Sequence, residues 1–192
     1  SILCCGLTER SPKDYFSILA EEVYQYCVEN NFELNLFTSE QIKSIGSVSF
    51  SATPFGILSR IADLENFSLE GSSMRRLRYQ VSKFSKAGNC RTEEYNNGSN
   101  KDIDQLIAKI IDQWCAPRTM VNPLIYAVKE DILAGTLSNE HRLFLTYIDE
   151  NLYNVILISK LSSEENGYLM DLEFYPPEMP LGGLEFAIVN II

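Results

Sequence analysis

The sequence predicts an α/β (α+β) protein in which a mixed, mostly antiparallel sheet is flanked by helices. Segments with helical periodicity alternate with segments whose apolar residues recur at every second position. A hydrophobic content of 45% in 192 residues is enough for a sizeable core, and 22% charged residues is ordinary for a globular chain. No apolar run reaches the roughly 18 residues of a membrane helix. These observations exclude a disordered or membrane-spanning class for this sequence.

The first third of the chain predicts short strands and one long helix. Strands are expected over residues 2–7 and 32–38, with a helix between them that begins at Ser11-Pro12 and ends near Asn30. A short helix is predicted over 39–45, and two further strands over 48–55 and 57–64. Residues 1–68 are therefore assigned to a partial first half of the fold.

A basic helix follows, predicted over residues 72–87, with Ser72 or Ser73 as its cap and Gly88 as its end. The net charge is −10, yet residues 71–91 include six basic side chains and no acidic one. On a helical wheel the apolar stripe consists of Met74, Leu77, Val81 and Phe84. The opposite face carries Arg75, Arg76, Tyr79, Lys83 and Lys86. This face either binds the phosphates of a polyanion or is a solvated surface that offsets acidic neighbours. Residues 69–89 are assigned to this connecting helix.

The last hundred residues predict a strand over 90–95, helices over 102–115 and 124–133, strands over 142–148, 153–161 and 168–175, and a final helix over 181–192. The last three strands are joined by short turns, which predicts an antiparallel meander with the 102–115 helix packed on it. Residues 90–192 are assigned to a second half whose final helix breaks off at the end of the sequence.

The five cysteines, an odd number without C-x-x-C spacing, argue against a disulfide framework and a zinc site. Cys4 and Cys5 fall in a predicted strand, where thiols behave as small apolar groups. No metal-ligand cluster, P-loop or nucleophile elbow is present in the sequence, so no metal is expected. The single histidine, His141, lacks partners at a recognisable spacing and is expected to be structural or exposed.

From Lys101 onward the order helix, helix, strand, strand, strand, helix resembles that of GNAT acyltransferases. Two segments, FSLEGSSMRRLRYQVSKFSKAG (67–88) and GYLMDLEFYPPEMPLGGLEF (167–186), resemble the soluble catalytic domain of phosphatidylglycerol lysyltransferases, the aminoacyl-phosphatidylglycerol synthases. In that family two GNAT-like halves are joined by a basic helix after a Leu-x-Gly phrase. The second half contains a Met/Val-Asp-Leu-Met-Arg passage, for which this sequence has Glu173-Phe174 after Asp171-Leu172.

The resemblance implies a cytoplasmic bacterial acyl- or aminoacyltransferase that works at the inner membrane surface. The donor would be aminoacyl-tRNA, and the acceptor a phospholipid or another small hydroxyl or amine; DNA is not an expected partner. No cofactor is implied, and coenzyme A is not favoured because no Arg-x-x-Gly-x-Gly phrase precedes the last helix. The alternative is a non-catalytic GNAT-like module that binds an anionic ligand such as tRNA or a lipid head group.

Candidate catalytic residues lie on the strand before the last helix. Asp171 and Glu173 alternate there, so their carboxylates are expected on one face, where either can take a proton from the attacking group. Tyr168 and Tyr175, at the strand ends, could donate hydrogen bonds to a developing oxyanion. The alternative is a sheet face whose acids reach solvent or pair with Lys160.

Gly182 and Gly183 stand at the predicted start of the last helix. Free backbone amides at a helix start can bind an anion, which makes both glycines candidates for substrate binding. Ordinary turn chemistry is the alternative, and the sequence favours it because no arginine precedes the glycines.

Overall fold

The computed structural model describes residues 2–4, 13–35, 43–161 except 55 and 58, and 166–192, with side chains described from residue 18 onward. The chain divides into two compact units, Ser1–Ala62 and Asp63–Ile192. The three-part assignment made from the sequence, with boundaries after residues 68 and 89, stays a prediction beside this division.

The first unit contains one helix and two pairs of short strands. Strand β1 (Ile2–Cys4) precedes helix α1 (Lys13–Glu29), which leads to strand β2 (Glu33–Asn35). Strands β1 and β2 pair in parallel, as a crossover through a helix requires. Strands β3 (Ser44–Ile45) and β4 (Val48–Ser49) form an antiparallel pair. The long helix and both flanking strands match the prediction within the described residues; residues 5–12 and 36–42 lie outside them.

Two predictions for the first unit are wrong. Residues 44–45 form a strand instead of the end of a helix, although 39–42 of that predicted helix lie outside the described residues. The strand predicted over 48–55 ends at Ser49, and the described residues of 57–64 form no strand. Pro54 lacks a ladder donor, and Ile57 is 97% exposed, so neither pairing nor burial stabilises a strand here.

The second unit is a four-stranded antiparallel sheet with helices on both faces. Its elements in chain order are α2 (Arg75–Phe84), β5 (Cys90–Tyr95), α3 (Lys101–Cys115), α4 (Leu124–Ala134), β6 (His141–Ile148), β7 (Asn151–Lys160), β8 (Tyr168–Phe174) and α5 (Gly183–Ile191). The strands lie in the order β5-β6-β7-β8, and all neighbours are antiparallel. The predicted meander is confirmed, and β5 extends it beside β6.

Alternating side chains on the central strands build two apolar layers. On one face Leu143 and Leu145 join a cluster with Ile107 and Ile111 of α3, so the predicted packing of this helix on the sheet is confirmed. On the other face Phe144 and Ile156 contact Ala187 of α5. The sheet therefore has α3 and α4 on one side and α5 on the other.

The basic helix is shorter than predicted. Helix α2 is capped by Met74, without a side-chain hydrogen bond from Ser72 or Ser73, and ends at Phe84 instead of residue 87. Phe84 is fully buried and packs against Phe186, with ring centroids 5.1 Å apart. Burial of this one aromatic ring attaches α2 to α5.

A buried carboxylate joins β5 to α3. Asp104 is 2% exposed, and its Oδ1 accepts hydrogen bonds from the Tyr95 hydroxyl (2.9 Å), Asn97 Nδ2 (2.9 Å) and the Gly98 backbone N–H (3.3 Å). Asn97 Nδ2 also donates to the carbonyl of Ile132 in α4, at 2.8 Å. Three donors make burial of this charge tolerable, and Asn97 extends the network to α4.

Candidate functional site

The exposed side of α2 carries the predicted basic face. Arg75, Arg76, Lys83 and Lys86 are exposed, and Tyr79 beside them is 62% exposed. None of these four cations forms an ion pair with any residue that the structure describes. The face is therefore open to an anionic partner. We refer to these five residues as the basic face.

The predicted apolar stripe faces inward. Val81 and Phe84 contribute to the cluster with Ile148 and Phe186, while Met74 and Leu77 are half-buried. The helical phase deduced from the sequence is therefore correct, and it explains why the basic side chains are exposed together.

A bulge in β8 separates the two candidate carboxylates. Glu173 pairs with Ile156, but the register shifts between Leu172 and Met170, which leaves Asp171 without a partner on β7. Directly paired residues lie on the same face, so Glu173 is on the α5 side together with Ile156. The prediction that strict alternation places Asp171 and Glu173 on one face is wrong, because the extra residue interrupts the alternation.

Glu173 is half-buried, and its environment alters its acidity. Burial raises the pKa of its carboxyl group; the cation of Arg118 opposes this shift, and the neighbouring carboxylate of Glu185 adds to it. Glu173 Oε2 is buried and has no hydrogen-bond partner among the described residues. A carboxyl group with a raised pKa and a free oxygen has the properties of a proton acceptor at neutral pH.

Asp171 is exposed and is held by a different set of contacts. Its Oδ2 accepts a hydrogen bond from Ser159 Oγ at 2.6 Å, and Ser159 Oγ lies 3.0 Å from His141 Nδ1. An ionised Asp171 can only accept, so Ser159 donates to it, and His141 Nδ1 then donates to Ser159. Sequence spacing did not reveal this line of three residues, because its members come from three strands.

The two tyrosines lie at opposite ends of β8, as predicted. Tyr168 is exposed, and its ring lies 5.1 Å from the guanidinium of Arg142. Tyr175 is half-buried and directly follows the strand, near Glu173. Only Tyr175 is therefore at the same end of the strand as Glu173, and its role as an oxyanion donor stays a prediction.

The two glycines begin α5, but both are buried at its crossing with α2. Gly182 has φ +92°, and a Cβ atom there would lie 2.1 Å from the backbone oxygen of Gln80. A Cβ on Gly183 would lie 2.9 Å from the Phe84 ring. Close approach of the two helices therefore accounts for both glycines. Their role in binding an anion stays a prediction.

Trp114, in the last turn of α3, and Arg118, just after the helix, lie in contact with each other. Trp114 packs edge-on against Phe174 with ring centroids 5.5 Å apart, and the guanidinium of Arg118 lies 3.4 Å from the centre of the Trp114 ring. The periodicity of the 102–115 segment gave no signal that Trp114 would pack against Phe174 of β8.

Within the part of the chain that the structure describes, no three His, Cys, Asp or Glu side chains converge as a metal site. A helix long and apolar enough to cross a membrane is likewise absent from the described residues.

The profile of the family described as phosphatidylglycerol lysyltransferase, C-terminal, matches residues 18–192. The chain belongs to this family. Two solved structures are similar to this lysyltransferase-family chain. The C-terminal domain (DUF2156) of a protein from Agrobacterium fabrum, named as a lysylphosphatidylglycerol synthetase, is 17% identical with a TM-score of 0.50. L-PGS from Bacillus licheniformis is 13% identical with a TM-score of 0.52.

Each similarity covers 68% of this chain and 40% of the solved chain, so the lysyltransferase-family chain spans less than half the length of these relatives. At such identities the likeness shows the fold, which is GNAT-like as the resemblance implied. No protein with curated functional information matches the chain.

The helix crossing predicts a large difference between two glycine substitutions. Gly182→Ala and Gly71→Ala both place a side chain at positive φ, +92° and +88°, but a Cβ at Gly71 meets nothing within 4 Å. We expect Gly71→Ala to cost about 1 kcal/mol of backbone strain. Gly182→Ala should cost at least about 2 kcal/mol more, because α5 must move away from Gln80. Urea unfolding of both variants measures the difference, and equal costs would contradict the proposed packing role.

The raised pKa of Glu173 predicts a pH-dependent stability change. When folding raises the pKa of a carboxyl group, ionisation of that group destabilises the folded state. The folded protein therefore becomes less stable as the pH rises from the ordinary pKa of 4.5 through the raised value. Glu173→Gln should therefore become more stable relative to wild type across this interval, and the gain should vanish below it. Thermal unfolding from pH 4 to 8 tests this, with the exposed Glu178→Gln as the matched loss of one carboxylate. A difference that does not change with pH would show that Glu173 titrates normally.

Proposed function

We propose that the chain is a transferase that moves an aminoacyl group from aminoacyl-tRNA to the hydroxyl or amine of a lipid or small acceptor. Membership of the lysyltransferase family supports aminoacyl transfer to a lipid in general. At residue level the proposal rests on Glu173, which is half-buried, has a raised pKa and has an Oε2 that finds no hydrogen-bond partner among the described residues.

The proposed reaction needs one proton acceptor. The acceptor hydroxyl attacks the carbonyl carbon of the aminoacyl ester while its proton passes to the Glu173 carboxylate. The new C–O bond forms, the ester bond to the tRNA ribose oxygen breaks, and that oxygen takes the proton back from Glu173. Tyr175 lies at the same end of β8 and is the proposed donor to the transient oxyanion. The other candidate carboxylate, Asp171, accepts a hydrogen bond from Ser159, and its catalytic role stays a prediction.

The basic face is the proposed contact for the phosphate groups of the tRNA. Unpaired Arg and Lys side chains bind a phosphate backbone by displacing its counterions, without reading the sequence. Tyr79 among them offers a ring on which a base can stack.

The second candidate function is a non-catalytic module that binds an anionic ligand. It is favoured by the same exposed basic face and by Phe174, which follows Glu173 where the family phrase ends in Arg. In that case the basic face would bind tRNA or lipid head groups, and Glu173 would have no role.

Incubation of the protein with a mixture of charged tRNAs and bacterial lipids separates the two functions. We expect mass spectrometry to detect new aminoacyl-lipid conjugates with the wild type. Glu173→Gln should give at least about 100-fold less conjugate, as expected for loss of a general base. Glu178→Gln should give the same amount as the wild type. Binding of tRNA without any conjugate would support the binding module. Full activity of Glu173→Gln would exclude the proposed proton acceptor.

Reversal of two charges tests the basic face. Four phosphate contacts predict a slope of about −3 to −4 in log affinity against log salt. Arg76→Glu with Lys83→Glu should weaken tRNA binding at least tenfold, or about 1.4 kcal/mol, while the melting temperature barely moves because both side chains are exposed. Lys101→Glu with Lys109→Glu, two exposed cations on α3, is the matched control. If the first pair binds tRNA and anionic vesicles as well as wild type does, the basic face is only a solvated surface.

A further inference from the structure

Helix α1 of the first unit presents an acidic and aromatic surface to solvent. An open depression of about 780 Å³ lies on it, lined among others by the carboxylates of Glu21, Glu22 and Glu29 and by the rings of Tyr24 and Tyr26. The two rings are about half exposed, at 46% and 53%. Guanidinium and ammonium groups are attracted to carboxylates and also bind the faces of aromatic rings. The surface therefore has the chemistry that recognises cationic side chains.

Two of these carboxylates have no cationic partner. Glu22 and Glu29 are exposed, and neither forms an ion pair with any residue that the structure describes. Glu21, in contrast, accepts hydrogen bonds from the backbone N–H and the hydroxyl of Ser47, at 3.1 and 2.7 Å. Because Ser47 belongs to the turn between β3 and β4, these two bonds hold that turn against α1 as one wall of the depression.

The spacing of the two free carboxylates matches that of the basic face. Glu22 and Glu29 are seven residues apart, and so are Arg76 and Lys83. Seven residues make close to two helical turns, so the members of each pair lie on one side of their helix, about 10.5 Å apart along its axis. Two such helices side by side can therefore form both ion pairs at once, whether they run parallel or antiparallel.

We propose that the acidic surface of α1 binds the basic face of a second copy of this chain. Charge complementarity supports this partner: residues 71–91 contain six of the 16 basic side chains and no acidic one, in a chain whose net charge is −10. Tyr79 of the basic face is 62% exposed and adds apolar area to the contact. Self-association covers the basic face, so it competes with any phosphate-rich partner of that face. This inference goes beyond the proposed function and does not depend on aminoacyl transfer.

Sedimentation velocity over a range of protein and salt concentrations measures the self-association. We expect a mass above that of one chain at about 0.01 M salt and the mass of one chain at about 1 M, because the Debye length falls from about 30 Å to about 3 Å over this range. Inorganic polyphosphate should also dissociate the wild-type assembly, because it occupies the basic face. The mass of one chain at every protein concentration in low salt would overturn the inference, as would an assembly that polyphosphate leaves intact.

Charge reversal on each side identifies the contact. Glu22→Lys with Glu29→Lys gives a chain with two cationic surfaces, and Arg76→Glu with Lys83→Glu gives one with two anionic surfaces. Each double variant alone should associate at least about tenfold more weakly than the wild type, because like charges then face each other.

The matched control is Glu130→Lys with Glu178→Lys, which reverses two exposed carboxylates of the second unit and should associate as the wild type does. An equimolar mixture of the two double variants should regain the association, because the acidic α1 of one then meets the basic α2 of the other. That recovery also shows that both variants are folded. Wild-type association of either variant alone, or a mixture that stays dissociated, would overturn the inference.

Discussion

The buried carboxylate of Asp104 fixes the position of α3 on the sheet, and the main apolar core of the second unit depends on that helix. Its three donors come from the end of β5 and the turn that follows, so the start of α3 cannot slide along the strands without leaving a charge unpaired. Close to Asp104, the backbones of Gly98 and Gly135 are in contact, since a Cβ on either glycine would lie about 3 Å from the Cα of the other. Because a helix is rigid, anchoring its first turn also positions its last turn, where Trp114 packs against Phe174 of β8.

Much of the second unit could be predicted from the sequence because local signals and burial agree there. Periodicity predicted the apolar stripe of α3, the meander with short turns and the phase of α2. In each case burial in the core stabilises the structure that the local pattern favours. The same reasoning failed after Ser49, because the described residues of 50–64 have a strand-like composition but find no pairing partner in the described structure. Strand formation depends on a neighbour that no local pattern specifies.

The candidate site could be predicted only in part, and β8 shows why. The sequence identified Asp171 and Glu173 correctly as the carboxylates of the strand, but one bulge reassigns their faces and their roles. A bulge arises from pairing with β7, and period-two reasoning cannot anticipate it. The contact of Ser159 with Asp171, and that of Trp114 with the residue after Glu173, join segments far apart in sequence.

Helix α2 links the basic face to Glu173 through its inner side. Gln80, on the turn that crosses Gly182, donates a hydrogen bond from Nε2 to Glu185 Oε1 at 2.7 Å. The carboxylate of Glu185 is one of the groups that keep the pKa of Glu173 high, after burial itself and against the opposing charge of Arg118. A partner bound to the outer side of α2 therefore holds the same ten-residue helix that positions Glu185. Loss of contact between α2 and α5 would release Glu185 and reduce the like-charge repulsion on Glu173, so attachment of the basic helix and proton affinity at the site depend on the same crossing.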